Sequence, residues 1–225
     1  MTPRPLIALI SATPAAIAPA ETGLTRGFPR AAAWHLLDDR LLTEAAAAGG
    51  TTPRLEARMR RLIDHALHEK ADGVLLTCSL YGAVARTADA AGVPVLAPDD
   101  AAFTEALGGG HARILLVASF AAALSDAASR LHRARQLHGS ATDIRTVVAD
   151  GALDATRAAD ADALAASLEG ACRAHSGTVD AVLLAQFSLA PAATRLSAAL
   201  GLPVISGPDA AARHLRALIE RRDAS

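Results

Sequence analysis

The chain has 225 residues, a formal net charge of −1 at pH 7 and 52% hydrophobic residues, which is enough apolar material for one large core or two smaller ones. Charges of both signs are interspersed, so the sequence has neither a basic stripe for nucleic acid nor an acidic tail. Two distant cysteines without a C-x-x-C motif argue against a disulfide framework or a zinc site. The apolar amino-terminal run is broken by Pro14 and Pro19, and no apolar run reaches 18 residues. We therefore expect a cytoplasmic protein with no membrane or nucleic-acid partner.

Apolar runs that alternate with amphipathic stretches predict an α/β fold with parallel strands. Thr52 is predicted to cap a helix that has Pro53 at its first position. Pro14–Arg30 contains Pro, Gly and Thr, and we expect a long loop with at most a short helix there. The predicted strands are Leu6–Ile10, Ala33–Leu37, the apolar run before Thr77, Val95–Ala97, Ile114–Ala118, Ile144–Ala149, Val182–Ala185 and Pro203–Ser206, and the predicted helices are Leu55–Leu67, Tyr81–Ala91, Asp99–Leu107, Ala121–Leu137, Asp160–His175, Leu189–Leu200 and Asp209–Arg222.

A thiol stands at the end of the most apolar of these strands. Cys78 follows the run Gly73–Leu76 and precedes the predicted helix Tyr81–Ala91. Ligands of open α/β sheets bind beyond the carboxyl ends of strands, and a helix amino terminus lowers the pKa of a nearby cysteine. A reactive thiol and a buried structural cysteine both fit this position. Cys172, at helical spacing from Leu168, is predicted to be core packing.

The sequence repeats a strand, helix and strand. Asp72-Gly-Val-Leu-Leu-Thr-Cys and Asp180-Ala-Val-Leu-Leu-Ala-Gln lie 108 residues apart, and the segment that begins at Gly92 matches the one that begins at Gly201. This pattern predicts two similar α/β lobes related by a pseudo-twofold axis. The first lobe would comprise residues 1–97 and 208–225, and the second would comprise 98–207. We expect Cys78 and Gln186 to face a cleft between the lobes, since such clefts are the usual ligand sites.

Small polar residues recur at the predicted strand ends. Hydroxyls and backbone N–H groups there could bind a carboxylate and its enediolate. Each residue alone is better explained as a helix cap, but their recurrence on several adjacent strand ends favours a binding site. The single lysine, Lys70, lies at a polar helix end and is a poor candidate for a Schiff base, and His35 is a weak candidate for the site. The predicted substrate-binding residues are Ser11, Thr13, Asp38, Thr77, Ser79, Ser119 and Phe120.

With these motifs the chain resembles the aspartate/glutamate racemase superfamily, which includes glutamate, aspartate and hydantoin racemases, maleate isomerase and arylmalonate decarboxylase. The resemblance covers nearly the whole chain. It rests on the repeat, on Leu76-Thr77-Cys78-Ser79 after a strand, and on the opening Ile7-Ala-Leu-Ile-Ser-Ala-Thr-Pro, which is similar to the start of arylmalonate decarboxylase. It implies two lobes, no cofactor and a small carboxylate substrate held in the cleft.

The sequence departs from the racemase pattern of one cysteine in each lobe. Cys78 matches the first cysteine, but Gln186 stands at the position of the second and cannot exchange protons near neutral pH. Ser188 stands where glutamate racemases have a histidine, and Ser11 stands where they have an acidic residue. The predicted catalytic residues are Cys78, Gln186 and Ser188, with no metal.

Three functions remain open from the sequence. The first is a cofactor-independent racemase or isomerase that acts next to a carboxylate. The second is a lyase of the same family, which removes a carboxyl group and protonates the product from Cys78. The third is a non-catalytic binding or regulatory protein. Assembly into a homo-oligomer is also left open.

Overall fold

The computed structural model describes residues 4–88, 90 and 92–224. The chain divides into two compact units, one that runs to Ala101 and resumes at Pro208, and one that comprises Ala102–Gly207. In chain order the elements are β1 (Leu6–Ser11), α1 (Ile17–Gly27), β2 (Ala32–Leu37), α2 (Arg40–Ala47), α3 (Pro53–His68), β3 (Gly73–Leu76), α4 (Gly82–Arg86), β4 (Val95–Leu96), α5 (Asp100–Gly108), β5 (Arg113–Ala118), α6 (Ala121–Leu137), β6 (Asp143–Val148), α7 (Ala152–Arg157), α8 (Ala161–Arg173), β7 (Ala181–Leu184), α9 (Ala193–Leu200), β8 (Val204–Ser206) and α10 (Gly207–Asp223).

Each unit contains a four-stranded parallel sheet in its described residues. The strand order is β2-β1-β3-β4 in the first unit and β6-β5-β7-β8 in the second. The predicted α/β class with two parallel sheets flanked by helices is therefore confirmed. In both sheets the chain order reverses between the two inner strands, β1 and β3 or β5 and β7. Ligands of open parallel sheets bind at this point, outside the carboxyl ends of the strands.

The inner strands β3 and β7 are fully buried, as strands of a parallel sheet are when helices cover both of its faces. All four residues of β3 and all four of β7 are buried, as their uninterrupted apolar runs predicted. In the first unit, α2 and α3 pack on one face of the sheet through Leu41, Met59 and Ile63. In the second unit, α7, α8 and α9 supply the corresponding layer. None of the described helices is long and apolar enough to cross a membrane.

The cap predicted for α3 is confirmed. Thr52 is extended, and its Oγ1 accepts a hydrogen bond of 3.3 Å from the backbone N–H of Leu55, while Pro53 occupies the first helical position. The side chain thereby satisfies one of the amides that a helix start leaves without an intrahelical partner. The predicted apolar stripe of this helix also faces the core, through buried Leu55, Met59, Ile63 and Ala66.

The segment predicted as the loop Pro14–Arg30 is instead a single 3₁₀ turn, Pro14–Ala16, followed by the eleven-residue helix α1. Pro19 lies in the first turn of α1, where a missing N–H costs little. The two glycines of α1 let it approach α10 closely: a Cβ on Gly23 would lie 2.5 Å from the Cβ of Pro208, and one on Gly27 would lie 2.7 Å from that of Ala212. The residues that suggested a loop are therefore contact residues of a helix.

The prediction of a continuous helix Tyr81–Ala91 was also wrong. The chain leaves β3 through Cys78 into a 3₁₀ turn, Ser79–Tyr81, and α4 then has five residues; Ala91 lies outside the described residues. The predicted helix Leu189–Leu200 is likewise a 3₁₀ turn, Phe187–Ala192, followed by α9. The α-helix therefore begins four residues after Cys78, so the argument that a long helix dipole acts on this thiol does not hold. The helices α2 and α7 were not predicted, and the other boundaries agree with the prediction to within two residues.

Candidate functional site

In the first unit, polar residues meet where β1 and β3 end; we call Ser11, Thr77, Cys78 and Ser79 the thiol cluster. Thr77 Oγ1 donates a hydrogen bond of 3.0 Å to Ser11 Oγ, and both side chains are buried. The backbone N–H of Thr77 donates to the carbonyl of Ile10 at 3.0 Å, which extends the ladder between the strands by one residue. Cys78 comes next, in an extended conformation and half-buried. The predicted residues Ser11 and Thr77 are thus in contact, directly before the thiol.

Tyr81 supports the thiol cluster from inside the core, a residue that the sequence analysis missed. Its backbone N–H donates to the carbonyl of Cys78 at 3.2 Å, which closes the 3₁₀ turn. Its fully buried hydroxyl donates to the carbonyl of Leu41 at 2.9 Å. Burial first, and then the negative charges that Cys78 and Asp38 can carry, raise the pKa of Tyr81 to about 12. Tyr81 therefore stays neutral and anchors the turn that presents Cys78. In the sequence, the spacing of three residues between Cys78 and Tyr81 could have indicated this contact.

Asp38, predicted to orient substrate, is held by an arginine of α3. The Arg58 guanidinium lies 2.5 Å from Asp38 Oδ2 through Nε and 2.7 Å from Oδ1 through Nη2, and its Nη1 also lies 3.1 Å from Glu44 Oε1. Burial alone would lower the pKa of Arg58, but the charges and hydrogen bonds of Asp38 and Glu44 raise it. Because Arg58 engages both carboxylate oxygens of Asp38, this group braces the start of α2 in the structure. The sequence could not show this pairing of side chains 20 residues apart.

In the second unit, a carboxamide occupies the end of the inner strand β7; we call Ser119, Gln186 and Ser188 the amide cluster. Gln186 Oε1 accepts two hydrogen bonds from Ser119, one of 2.8 Å from its backbone N–H and one of 2.9 Å from its Oγ. Ser119 is buried and Gln186 is half-buried. A backbone N–H can only donate, so the atom that faces it must be the amide oxygen. The Gln186 NH₂ group therefore points away from Ser119.

The four other predicted site residues lie just beyond the ends of β1, β3, β5 and β7. Ser79 and Ser188 are half-buried in the 3₁₀ turns that follow β3 and β7. Thr13 is half-buried before the turn that leads into α1. Phe120 is 39% exposed and precedes α6, whose first turn has no side-chain cap in the described structure.

The two units anchor their inner strands in the same way. The backbone N–H of Leu6, at the start of β1, donates to Asp72 Oδ2 at 2.8 Å, and that of Arg113, at the start of β5, donates to Asp180 Oδ2 at 2.8 Å. The Arg113 side chain also hydrogen-bonds Asp180, which is the main reason why the pKa of Asp180 is lowered. The repeated aspartate in the sequence is thus a strand anchor.

Backbone hydrogen bonds near the strand ends define which residues of the two units are equivalent. Thr77 N–H donates to the carbonyl of Ile10, and Ala185 N–H donates to that of Val117, so Cys78 and Gln186 occupy the same position in their own units. The same hydrogen bonds pair Ile10 with Val117, so Ser11 corresponds to Ala118. Ser119 lies one residue further along the chain. The two serines therefore belong to different positions of the strand end, a shift that the sequence repeat did not reveal.

The remaining titratable candidates do not join the clusters. Cys172 is completely buried in the core of the second unit, and burial raises its pKa to about 11, so it is an inert thiol as predicted. His35 lies on β2 with its Nε2 3.6 Å from Glu21 Oε2. Within the described residues, no group of three or more His, Cys, Asp or Glu side chains could hold a metal ion.

The sequence and the fold both match known proteins. The family model described as Asp/Glu/Hydantoin racemase matches residues 42–215. No curated protein matches the chain. Structures with the same fold include an aspartate racemase from Picrophilus torridus, with 14% identity, a TM-score of 0.76, and coverage of 96% of this chain and 94% of that chain. An allantoin racemase from Klebsiella pneumoniae has 18% identity, a TM-score of 0.67 and coverage of 97% and 89%. A mutant of arylmalonate decarboxylase in a sulfate-associated form has 22% identity, a TM-score of 0.60 and coverage of 96% and 94%.

Proposed function

The chain belongs to the Asp/Glu/hydantoin racemase family, and we propose that it is a cofactor-independent enzyme that moves a proton at the carbon next to the carboxylate of a small carboxylic or amino acid. The observation that carries this proposal is the position of Cys78. Its half-buried thiol follows an inner strand, at the point where the strand order of the first unit reverses. The other cysteine of the chain is sealed in a core.

The proposed step is a proton transfer to and from the Cys78 sulfur. The thiolate takes the proton from the carbon, and the electron pair of the broken C–H bond moves onto the carboxylate to form an enediolate. Hydroxyl and backbone N–H donors of the thiol cluster stabilise the negative charge that develops on the oxygens. The thiol then returns a proton to the carbon, which regenerates the thiolate. A positioned acid–base group of this kind contributes roughly 100- to 10,000-fold to the rate.

Gln186 has a different role in this proposal. Its amide neither gains nor loses a proton near neutral pH, and its oxygen is already engaged by Ser119. It can contribute a neutral hydrogen bond to an oxygen of the substrate. With Cys78 as the one proton-transferring group, exchange would occur on one face of the carbon. That Gln186 and Cys78 serve the same substrate stays a prediction, which the kinetics of their variants will test.

The second candidate function is decarboxylation of a malonate-type acid. The amide in place of a second acid favours it, because this reaction needs only one delivered proton. The C–C bond to one carboxylate breaks, carbon dioxide leaves, and the electron pair stays on the remaining fragment as an enediolate. Cys78 then protonates the carbon and regains its proton from water. The arylmalonate decarboxylase in the comparison shares the fold.

The experiment that tests the proposal is a screen of small mono- and dicarboxylates in D₂O. Proton NMR reads exchange at the carbon next to the carboxylate, and carbon dioxide release reads decarboxylation. Cys78→Ala is compared with Cys172→Ala, which is the matched control because it removes the other thiol of the chain. We expect exchange or carbon dioxide release with the natural protein and with Cys172→Ala, and at least a 100-fold loss with Cys78→Ala.

Two outcomes of this screen contradict the proposal. Full activity of Cys78→Ala removes the thiol from the mechanism. Specific binding of a carboxylate without exchange or carbon dioxide release would instead establish the non-catalytic function that the sequence left open.

A further inference from the structure

We propose that Ser119 is a positioning residue, which holds the Gln186 carboxamide with its NH₂ group presented to an anionic oxygen of the ligand. The inference rests on the proposed function for the ligand class, a small carboxylate. It goes further by assigning a task to Ser119 and by fixing which end of the amide the ligand meets.

The orientation follows from the donors on Ser119. Its backbone N–H, 2.8 Å from Gln186 Oε1, has no acceptor function, so it excludes the flipped amide. The Ser119 hydroxyl lies 2.9 Å from the same oxygen and donates to it as well. A carbonyl oxygen accepts through two lone pairs, and both are thereby used. What the side chain still offers is its pair of N–H donors.

This arrangement favours a negatively charged ligand group over a positively charged one. An unrestrained glutamine can turn either its oxygen or its nitrogen toward a ligand and so serve an ammonium or a carboxylate equally. With the oxygen engaged by Ser119, only the donors are available, and these favour a carboxylate oxygen. Two hydrogen bonds at the amide oxygen also polarise the group and strengthen its N–H donors.

The arrangement also lowers the entropic cost of binding. A long, flexible glutamine side chain loses most of its rotamer freedom when it is fixed, which opposes binding. Two hydrogen bonds from a buried serine fix much of the side chain before the ligand arrives. Pre-organisation of this kind improves affinity without any additional contact to the ligand.

The sequence makes a direct measurement practical, because it contains two glutamines, Gln136 and Gln186, and no asparagine. The side-chain amide region of a ¹⁵N–¹H NMR spectrum therefore holds two NH₂ pairs. Gln136 is exposed on α6 and serves as the internal reference. Sodium malonate is the probe, sodium chloride at the same ionic strength is the control, and Cys78→Ala is used so that no turnover occurs during the titration.

We expect malonate to shift the Gln186 pair in a saturable way and to leave the Gln136 pair unchanged. Ser119→Ala removes the hydroxyl donor and keeps the backbone donor, so the midpoint of the titration should rise roughly threefold to tenfold. Ser119→Thr keeps a hydroxyl and should restore the natural midpoint. Gln186→Glu keeps the oxygen that Ser119 binds but removes the N–H donors. Because this variant has no Gln186 NH₂ pair to observe, its binding is measured by isothermal titration calorimetry, and we expect no saturable malonate binding.

Several results would overturn the inference. One is an equal response of Gln136 and Gln186, or no response of Gln186 to malonate. Another is a Ser119→Ala variant that melts at a lower temperature but keeps the natural midpoint, because that pattern belongs to a purely structural serine. These readouts need no catalysis. If the D₂O screen fails and this titration succeeds, the proton-transfer chemistry is wrong and the positioning role stands.

Discussion

At the carboxyl ends of the inner strands, the first unit carries a thiol at Cys78 and the second carries an amide at Gln186, and the strands that lead to them are built alike. Each inner pair is parallel, starts at an aspartate that accepts from the backbone of the neighbouring strand, and ends in a 3₁₀ turn. The strands are therefore built in the same way in both units, although a different residue stands at each strand end. The residues at the two strand ends, a thiol and an amide, differ in the chemistry that they can support.

The side chains around Cys78 also differ from those around Gln186. In the first unit, Ser11 is bonded to Thr77, and Tyr81 anchors the turn through its hydroxyl. In the second unit, the serine is one residue further along the strand end, where its two donors reach Gln186. Leu189, which lies in the equivalent turn, is wholly apolar and buried. In the proposed function, the thiol of the first unit transfers the proton and the amide of the second unit binds the anion.

The largest expected effect is the difference between the two thiols in their rate of reaction with iodoacetamide at pH 7. Cys172 is buried with a pKa of about 11, so roughly one molecule in 10,000 carries its thiolate at that pH. We expect half-buried Cys78 to react at least 1,000-fold faster in the folded protein, and a small dicarboxylate to protect it. Mass spectrometry of peptides after timed quenching measures both rates. Equal labelling of the two cysteines would contradict the contrast.

The second prediction concerns a variant that has a thiol at both strand ends. Gln186→Cys places a thiol at the position equivalent to Cys78. If both strand ends serve one substrate, this variant supplies an acid–base pair and should raise racemisation of the bound carboxylate by about 100-fold or more. Loss of optical rotation measures it. Gln186→Ser is the matched control, because it shortens the side chain without adding a group that titrates near neutral pH. Equal rates in the two variants would rule out a second thiol as the missing component.

The third prediction concerns the anchor that the second unit lacks. Tyr81→Phe removes the hydrogen bond to the Leu41 carbonyl, which keeps its helical partner within α2, and should lower the free energy of unfolding by about 0.5–1.5 kcal/mol. Urea unfolding monitored by circular dichroism measures this loss. Leu189→Met, a volume-conserving change in the equivalent turn, should cost less. The reading of Tyr81 as an anchor fails if the two variants are equally stable.

Tyr81 also makes stability depend on alkaline pH. Its pKa is about 12 in the folded protein and about 10 when unfolded, so its contribution is complete below pH 10 and is lost as the pH rises toward 12. The chain has one tyrosine. An ultraviolet absorbance titration therefore reports this group alone, and a midpoint near 10 in the folded protein would show that the hydroxyl is not buried.

The smallest expected effect is at the strand anchors. The hydrogen bonds from Arg113 lower the pKa of Asp180, so Asp180 stabilises the fold above the ordinary aspartate pKa of about 4 and loses this contribution as the pH falls through its folded value. Asp180→Asn should reduce stability modestly at pH 7 and by less at pH 3, in urea titrations at both pH values. The exposed Asp154→Asn is the control. A loss from Asp180→Asn that is larger at pH 3 than at pH 7 would contradict the assignment.

The sequence predicted most of the framework because strands and capped helices leave local signals. The apolar runs of β3 and β7, the Thr52 cap and the stripe of α3 all depend on residues close together in the chain. Prediction failed where a tertiary contact overrides the local preference. Gly23 suggested a loop, but it is a glycine that allows α1 to pack against α10.

The candidate residues were easier to predict than their partners. Placement of Cys78 and Gln186 at strand ends follows from the repeat, and that of Ser11 follows from the apolar run Leu6–Ile10 before it. The partnerships Asp38 with Arg58 and Ser119 with Gln186 depend on strand register and on helix rotation. A one-residue shift, such as the one between Ser11 and Ser119, changes which side chains meet, and no local pattern encodes it.

The central claim is that one thiol, Cys78, exchanges protons while Gln186 does not. The most direct test follows one enantiomer of a chiral carboxylate identified in the screen, in D₂O with the natural protein, and measures deuterium incorporation and optical rotation in the same sample. The account predicts that deuterium enters while the optical rotation is kept, because the proton leaves and returns on one face. Loss of optical rotation as fast as deuterium enters would contradict it, because a second acid–base group would then have to act on the opposite face.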